Sequence, residues 1–180
     1  AICGRKYTGK STFARNMLLK LNHKVVIVDP NGSPAYNQIQ KVEVSKLRTL
    51  KSGIVKVYTP NPEQLFQELW DIMHDKKGDP IRWNGTILFD DATKYIDAKP
   101  TKKVKSILVD HRMYSLNLLF TFHAISFIPP FFWKMLTHIV VLKTQDLKQH
   151  KYLGLKRVFL IVFLKHLLLF RQYQLAQYFL

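Results

Sequence analysis

Gly4-Arg5-Lys6-Tyr7-Thr8-Gly9-Lys10-Ser11-Thr12 sets two glycines, with four residues between them, ahead of a lysine and two hydroxyls. That is the pattern of a loop that wraps phosphate. Glycine at positions 4 and 9 lets the backbone curl so that its N–H groups converge on phosphate oxygens. A Cβ at either turn is expected to obstruct that approach. Lys10 is the point charge that reaches the β- and γ-phosphates, and Ser11 offers its hydroxyl to a Mg2+ that bridges them. The helix starting here aims its positive end at the same anion. Some eighty residues downstream, Thr86-Ile87-Leu88-Phe89-Asp90-Asp91 ends an apolar run with two adjacent carboxylates. At the C-terminal edge of a parallel sheet, where ligands sit, Asp90 would hold Mg2+, usually through water. Asp91 would orient or deprotonate the attacking water. Successive strand residues point to opposite sides, so the two acids cannot play the same part.

These residues need strands and helices to bring them together. Ala1-Ile2-Cys3 reads as the end of a buried strand, and Phe13, Met17 and Leu21 fall on one face of the helix after the loop. Lys24 to Asp29 is a short apolar run, a strand buried on both faces of a parallel sheet, stopped by Asp29-Pro30-Asn31-Gly32. Two readings of Asp29 fit equally: contact with the nucleotide or a neighbouring subunit, or a cap on the turn. Residues 33 to 53 are weakly patterned and read as exposed. Ile54 to Tyr58 is the next strand. A helix from about Glu63 presents Leu65, Phe66, Leu69, Trp70 and Met73 inward, with Glu63 and the stretch Asp71 to Asp75 facing solvent. A basic helix, Lys102 to Arg112, has Val104, Ile107, Leu108 and His111 as its inner face, and its lysines point toward solvent or a phosphate backbone. Asn117 to His123 is a strand with a polar tip, Thr121 and His123 on one side of it. His123 fits two readings: a group that contacts the γ-phosphate or attacking water and reports hydrolysis, or a core histidine satisfied by a carbonyl. Ile128-Pro129-Pro130 is a rigid turn, Phe131 to Leu136 a short apolar helix that fills a core rather than stacking bases, and His138 to Lys143 the last clear strand.

The 180 residues suit one domain, and 47% hydrophobic content agrees with a substantial core. With three residues ahead of Gly4, the chain is expected to begin inside its natural first strand. The net charge of +16, from 28 Lys and Arg against 12 Asp and Glu, favours polyanionic partners, nucleic acid before anionic membrane. One cysteine excludes an internal disulfide and fits a reducing, cytoplasmic setting. The seven histidines show no zinc-ligand spacing. We divide the chain into a phosphate-loop core over 1–146 and a basic, hydrophobic extension over 147–180, which carries no acid and has a greasy run, Val158 to Leu164, followed by Lys165 and His166. A membrane span needs roughly twenty apolar residues, so the run reads as a buried element or subunit contact.

The order of elements means an α/β protein: a mostly parallel sheet with crossover helices on both faces. A polar-tipped strand after the acidic one suggests hydrolysis by an acid-activated water. A GTPase fits poorly, because Lys143-Thr144-Gln145-Asp146 is a weak base-reading motif and Asp90 to Thr93 lacks a glycine. A small-molecule or nucleotide kinase is the rival, but no compact arginine lid can be picked out.

Ile27-Val28-Asp29-Pro30-Asn31-Gly32, Leu88-Phe89-Asp90-Asp91-Ala92, and the series from His111-Arg112 through Leu119-Phe120-Thr121-Phe122-His123 to Ile128-Pro129-Pro130 resemble the FtsK and HerA superfamily of DNA-pumping ATPases. The similarity covers about residues 1–146 and is greatest to the viral genome-packaging and phage-assembly branches. It implies a RecA-like P-loop NTPase fold, Lys10 and Ser11 on ATP and Mg2+, Asp90 as the metal acid, Asp91 as the base and His123 at the sensor position. It also implies Arg112 as an arginine finger for a neighbouring subunit. Many relatives carry Glu where Asp91 stands and Gln or Asn at the sensor. The expected activity is an ATP-driven DNA translocase or packaging motor, a homo-oligomeric ring, hexameric by analogy, with DNA in a basic channel. The alternatives are the kinase and an ATP-gated phage assembly or export protein.

Overall fold

The computed structural model describes residues 1–58, 61–94, 96, 101–142 and 159–162. Among the described residues seven strands, all parallel, form one sheet: β1 (Ile2–Cys3), β2 (Lys24–Val28), β3 (Ile54–Val57), β4 (Gly85–Phe89), β5 (Leu116–Phe122), β6 (His138–Val141) and β7 (Phe159–Val162). Their order is β3-β2-β4-β5-β1-β6-β7. The helices are α1 (Lys10–Leu18), α2 (Pro62–Met73), α3 (Lys102–Val109) and α4 (Pro130–Trp133). β7 lies within the 147–180 extension and pairs with β6. The rest of that extension, like Lys143 to Asp146, lies outside the described residues.

Alternation along the central strands divides the core in two. Val26 and Val28 of β2, with Ile87 and Phe89 of β4, join one cluster with Leu65, Phe66 and Leu69 of α2, Ile107 of α3 and Phe132 of α4. Val25, Ile27 and Leu88 point the other way, onto Ala14 and Leu18 of α1. Helices therefore cover both faces, as the sequence implies. Each fully buried Leu or Phe contributes about 1.5–3 kcal/mol. Phe66 stacks on Phe89 at 5.4 Å and Phe89 on Phe120 at 5.3 Å, with Phe132 edge-on to Phe120 at 5.1 Å. This ladder stiffens β4 and β5 just before they deliver their polar ends. Helix starts follow local chemistry. The Asn61 side chain accepts from the Gln64 amide (3.2 Å) with Pro62 opening α2, and Thr101 caps α3 at Val104 (3.4 Å).

Three expectations are corrected. α1 buries Lys10, Ala14 and Leu18 and ends at Leu18; Met17 is exposed and Leu21 falls beyond the helix. Residues 33 to 53 are not uniformly exposed, since two 3₁₀ turns, Pro34–Tyr36 and Val44–Arg48, place Tyr36 and Leu47 wholly inside. At the end of α2, Asp71 and Asp75 face solvent but Ile72 and His74 do not, while Met73 is inward as its place on the apolar face implies. His74 is held by the Trp70 carbonyl (2.8 Å) and the Tyr114 hydroxyl (3.2 Å).

Candidate functional site

β5 lies between β1 and β4, so the loop strand and the acidic strand are separated by one strand whose end touches the products of both. The loop after β1 turns through Tyr7 and Gly9, both at positive φ (61° and 83°). Gly9 meets no neighbour that a Cβ would strike, so its need is conformational rather than spatial. Gly4 is the opposite case. A Cβ there would lie 2.8 Å from Thr8 Oγ1 and 2.9 Å from Leu142 Cβ. Gly4 is thus required by packing against Leu142, just past the end of β6, in addition to any demand of phosphate. Tyr7, fully exposed, holds a left-handed conformation that costs a non-glycine residue about 1–2 kcal/mol. Arg5 and Thr8 are half-buried, Lys6 and Thr12 exposed, and Thr8 donates to the Arg5 carbonyl at 2.8 Å. α1 begins at Lys10 with Gly9 as its N-cap and no side-chain cap, so its first amide donors face the loop.

Lys10 is buried with its ammonium on the Gly4 carbonyl (2.8 Å), the Arg5 carbonyl (2.9 Å) and His123 Nδ1 (3.3 Å). Burial lowers its pKa from the ordinary lysine value, and the charges of Asp90 and Asp91 oppose that shift. An ammonium has no acceptor, so Nδ1 of His123 must accept, which leaves the proton on Nε2. That nitrogen lies 3.3 Å from Asp91 Oδ1. His123 thus spans the loop lysine and the second acid, and it is not a core histidine resting on a carbonyl.

The two acids diverge as strand alternation requires. Asp90 accepts from Ser11 Oγ at 2.9 Å and from the buried Thr121 hydroxyl at 2.5 Å. Asp91 leaves the strand at φ 52°. Its amide donates to Thr121 Oγ1 (2.9 Å), Asn31 Nδ2 donates to Oδ2 (3.1 Å) and Thr93 Oγ1 donates to Oδ1 (2.8 Å). Lys94 in turn donates to Asn31 Oδ1. Burial pushes the Asp91 carboxyl up, but the hydrogen bonds from Asn31 and Thr93, with the charge of Lys94, outweigh it, and the pKa falls below the ordinary aspartate value. Asp29 does not join this cluster by a hydrogen bond. Its carboxylate caps its own turn, accepting from the amides of Asn31 (3.2 Å) and Ser33 (2.8 Å). Burial, the largest influence on it, raises its pKa.

Ser11, Asp90, Lys10, Asp91 and His123 therefore converge, whereas Arg112 does not. Arg112 sits, exposed, in the connection from α3 into the start of β5, at the opposite edge of the sheet from His123. A strand of that length spans roughly 20 Å, so Arg112 cannot serve its own site.

Four contributors escaped the sequence reading: Thr121 as the bridge between the acids, Asn31 and Thr93 on Asp91, and Tyr36. The Tyr36 phenol is wholly buried and its hydroxyl faces Ser11 and Asp90 without meeting hydrogen-bond geometry to either. Burial first, then the charge of Asp90, raises its pKa far above the ordinary tyrosine value, so it stays protonated. A hydroxyl, a carboxylate and an orphaned buried phenol are hard oxygen groups that suit a hydrated divalent cation such as Mg2+. Thr121→Val should cost about 2–4 kcal/mol in urea unfolding, since it leaves a buried carboxylate oxygen and the Asp91 amide without their partner. A loss under about 0.5 kcal/mol would show that Thr121 does not hold the acids.

No protein-family profile and no curated protein sequence matches the chain. Solved structures do. The genome packaging NTPase B204 of Sulfolobus turreted icosahedral virus 2, in complex with ATPγS, superposes with a TM-score of 0.63 at 22% identity over 82% of this chain and 76% of that one. The same protein in complex with AMPPCP gives 0.64 at 21% identity, over 80% and 74%. B204 of Sulfolobus turreted icosahedral virus, a DNA-packaging ATPase, gives 0.60 at 23% identity, over 82% and 76%. The fold is that of a P-loop NTPase. In the P-loop NTPase fold, a phosphate loop after one strand and an acid at the end of another share the same sheet edge, as Gly4 to Ser11 and Asp90 do here.

Proposed function

We propose that this chain is a Mg2+-dependent ATPase of the FtsK and HerA type that moves DNA, as a packaging motor working in a ring of identical subunits. The observation that carries the reading is the Ser11–Asp90 hydrogen bond at 2.9 Å, which joins the phosphate loop to the acidic strand across 79 residues. Likeness to the B204 packaging NTPase supports the same class. Bound at Ser11 and Asp90, Mg2+ would neutralise charge building on the β- and γ-phosphate oxygens. Lys10 exchanges its carbonyl partners for phosphate oxygens. Asp91 holds and orients the attacking water. With its proton on Nε2 and its other nitrogen on Lys10, His123 senses both the lysine and the acid, which is the sensor's task. Arg112, at the far edge of the sheet, would act on a neighbour's site rather than on its own. The lysines of α3, Lys102, Lys103 and Lys105, are all exposed and offer a face to a phosphate backbone.

Among the described residues no helix is long and apolar enough to cross a membrane. The test of function is ATP turnover titrated with DNA. Stimulation supports a translocase, and indifference to DNA supports the kinase reading. DNA affinity should also fall about a hundredfold between 50 and 200 mM salt if four phosphates are contacted, as measured by fluorescence anisotropy. A flat response would remove the charge argument for DNA.

A further inference from the structure

The segment after β2 carries a tyrosine that borders the cation site but has no stated task there. Tyr36 lies in the 3₁₀ turn Pro34–Tyr36, packed in the cluster with Ala14 and Leu18 of α1 and Val25 and Ile27 of β2. The ring fills this core as a phenylalanine would. Its hydroxyl is the anomaly: buried, without a hydrogen-bond partner, and directed at the two side chains placed to hold the cation. Buried hydroxyls are nearly always paired, and leaving one unpaired is unfavourable. The turn itself is fixed from outside, because Lys56 Nζ donates to the Tyr36 carbonyl at 2.9 Å. On the other side the Asp29 carboxylate pins the preceding bend through Ser33. The phenol is therefore held at the edge of the Ser11–Asp90 pair by backbone contacts that do not depend on its hydroxyl.

We propose that Tyr36 is a positioning residue for the divalent cation, its hydroxyl hydrogen-bonding to Asp90 or to water held by Asp90 when Ser11 and Asp90 take up Mg2+ with nucleotide. The inference rests on the ATPase reading above. In the present contacts both Asp90 oxygens are already engaged, one by Ser11 and one by Thr121. Ser11 can give a lone pair to a cation while its O–H still donates to Asp90, and each Asp90 oxygen keeps a second lone pair open to a further donor. Tyr36 is a donor already desolvated and directed there, so it loses little on forming the bond.

The experiment is a Mn2+ titration of the full chain with AMPPCP, followed by electron paramagnetic resonance, for wild type, Tyr36→Phe and Ser11→Ala. Tyr36→Phe removes one oxygen and keeps the ring. Expected is an about tenfold weaker Mn2+ affinity in the nucleotide complex, with AMPPCP affinity in EDTA unchanged and the thermal midpoint of the nucleotide-free protein equal or higher. Mn2+ affinity equal to wild type overturns the proposal. So does a lower thermal midpoint, which would mean that the hydroxyl is a structural group. If wild type and Ser11→Ala bind Mn2+ equally with nucleotide, or wild type binds no AMPPCP, the ATPase reading itself fails. Failure confined to Tyr36→Phe leaves that reading standing.

Discussion

Asp91→Asn is expected to lower ATP turnover by about 10²–10⁴-fold while leaving nucleotide affinity within about twofold of wild type. The affinity groups, Lys10, Ser11 and Asp90, make no hydrogen bond to the Asp91 side chain. The amide substitution removes the charge that orients water, and it cannot satisfy its surroundings. Asn31 donates to one oxygen of Asp91, while Thr93 donates to the other and His123 approaches it. Whichever oxygen becomes NH₂ confronts a donor. If the nitrogen faces Asn31, that side chain must turn over and present its own NH₂ to Lys94. The acid also has a defined pH behaviour. Its folded pKa is depressed, so its contribution to stability is complete above the unfolded carboxyl value and is lost as pH falls through the lower folded value. Turnover should accordingly hold its dependence on this group flat through neutral pH. The measurement is steady-state phosphate release beside fluorescent-nucleotide binding. Near-normal turnover in Asp91→Asn would move the base to another residue.

Arg112→Ala is expected to reduce turnover by about 10³–10⁵-fold and to leave ATP binding unchanged, because the side chain stands at the far edge of its own sheet. The decisive form of the experiment mixes two dead proteins. Lys10→Ala keeps Arg112 but lacks a working loop, and Arg112→Ala keeps the loop. Where a Lys10→Ala subunit offers its arginine to an Arg112→Ala neighbour, activity should return in the mixture and in neither protein alone. Normal hydrolysis by Arg112→Ala on its own would end the finger assignment. A mixture as dead as its components would argue against a shared interface.

Much of this was legible in the chain because parallel strands buried on both faces need continuous apolar runs. Val25 to Val28 and Ile87 to Phe89 show such runs, and the acids Asp90 and Asp91 mark where the second one stops. The stretch from Gly4 to Gly9 is local in sequence, so its spacing was enough to place it as the turn from β1 into α1. Failures came where contacts are distant or unpatterned. α1 buries Lys10 and Ala14, one charged and one small, beside Leu18, and a search for large apolar residues settles on Phe13 and Met17 instead. Tyr36 and Leu47 sit in 3₁₀ turns too short to display a period. Asn31, Thr93 and Thr121 gain their meaning only from the folding together of β2, β4 and β5, which no spacing announces.

β5 carries one further consequence. Thr121, near its last residue, is bonded to both acids, and Arg112 lies a few residues before its first. The strand joins the candidate acid cluster at one tip to Arg112 at the other, which in the ring proposed above would face the next protomer. If that ring forms, a tilt of β5 at the Thr121 end would move Arg112 too, and hydrolysis in one subunit would bear on its neighbour's site.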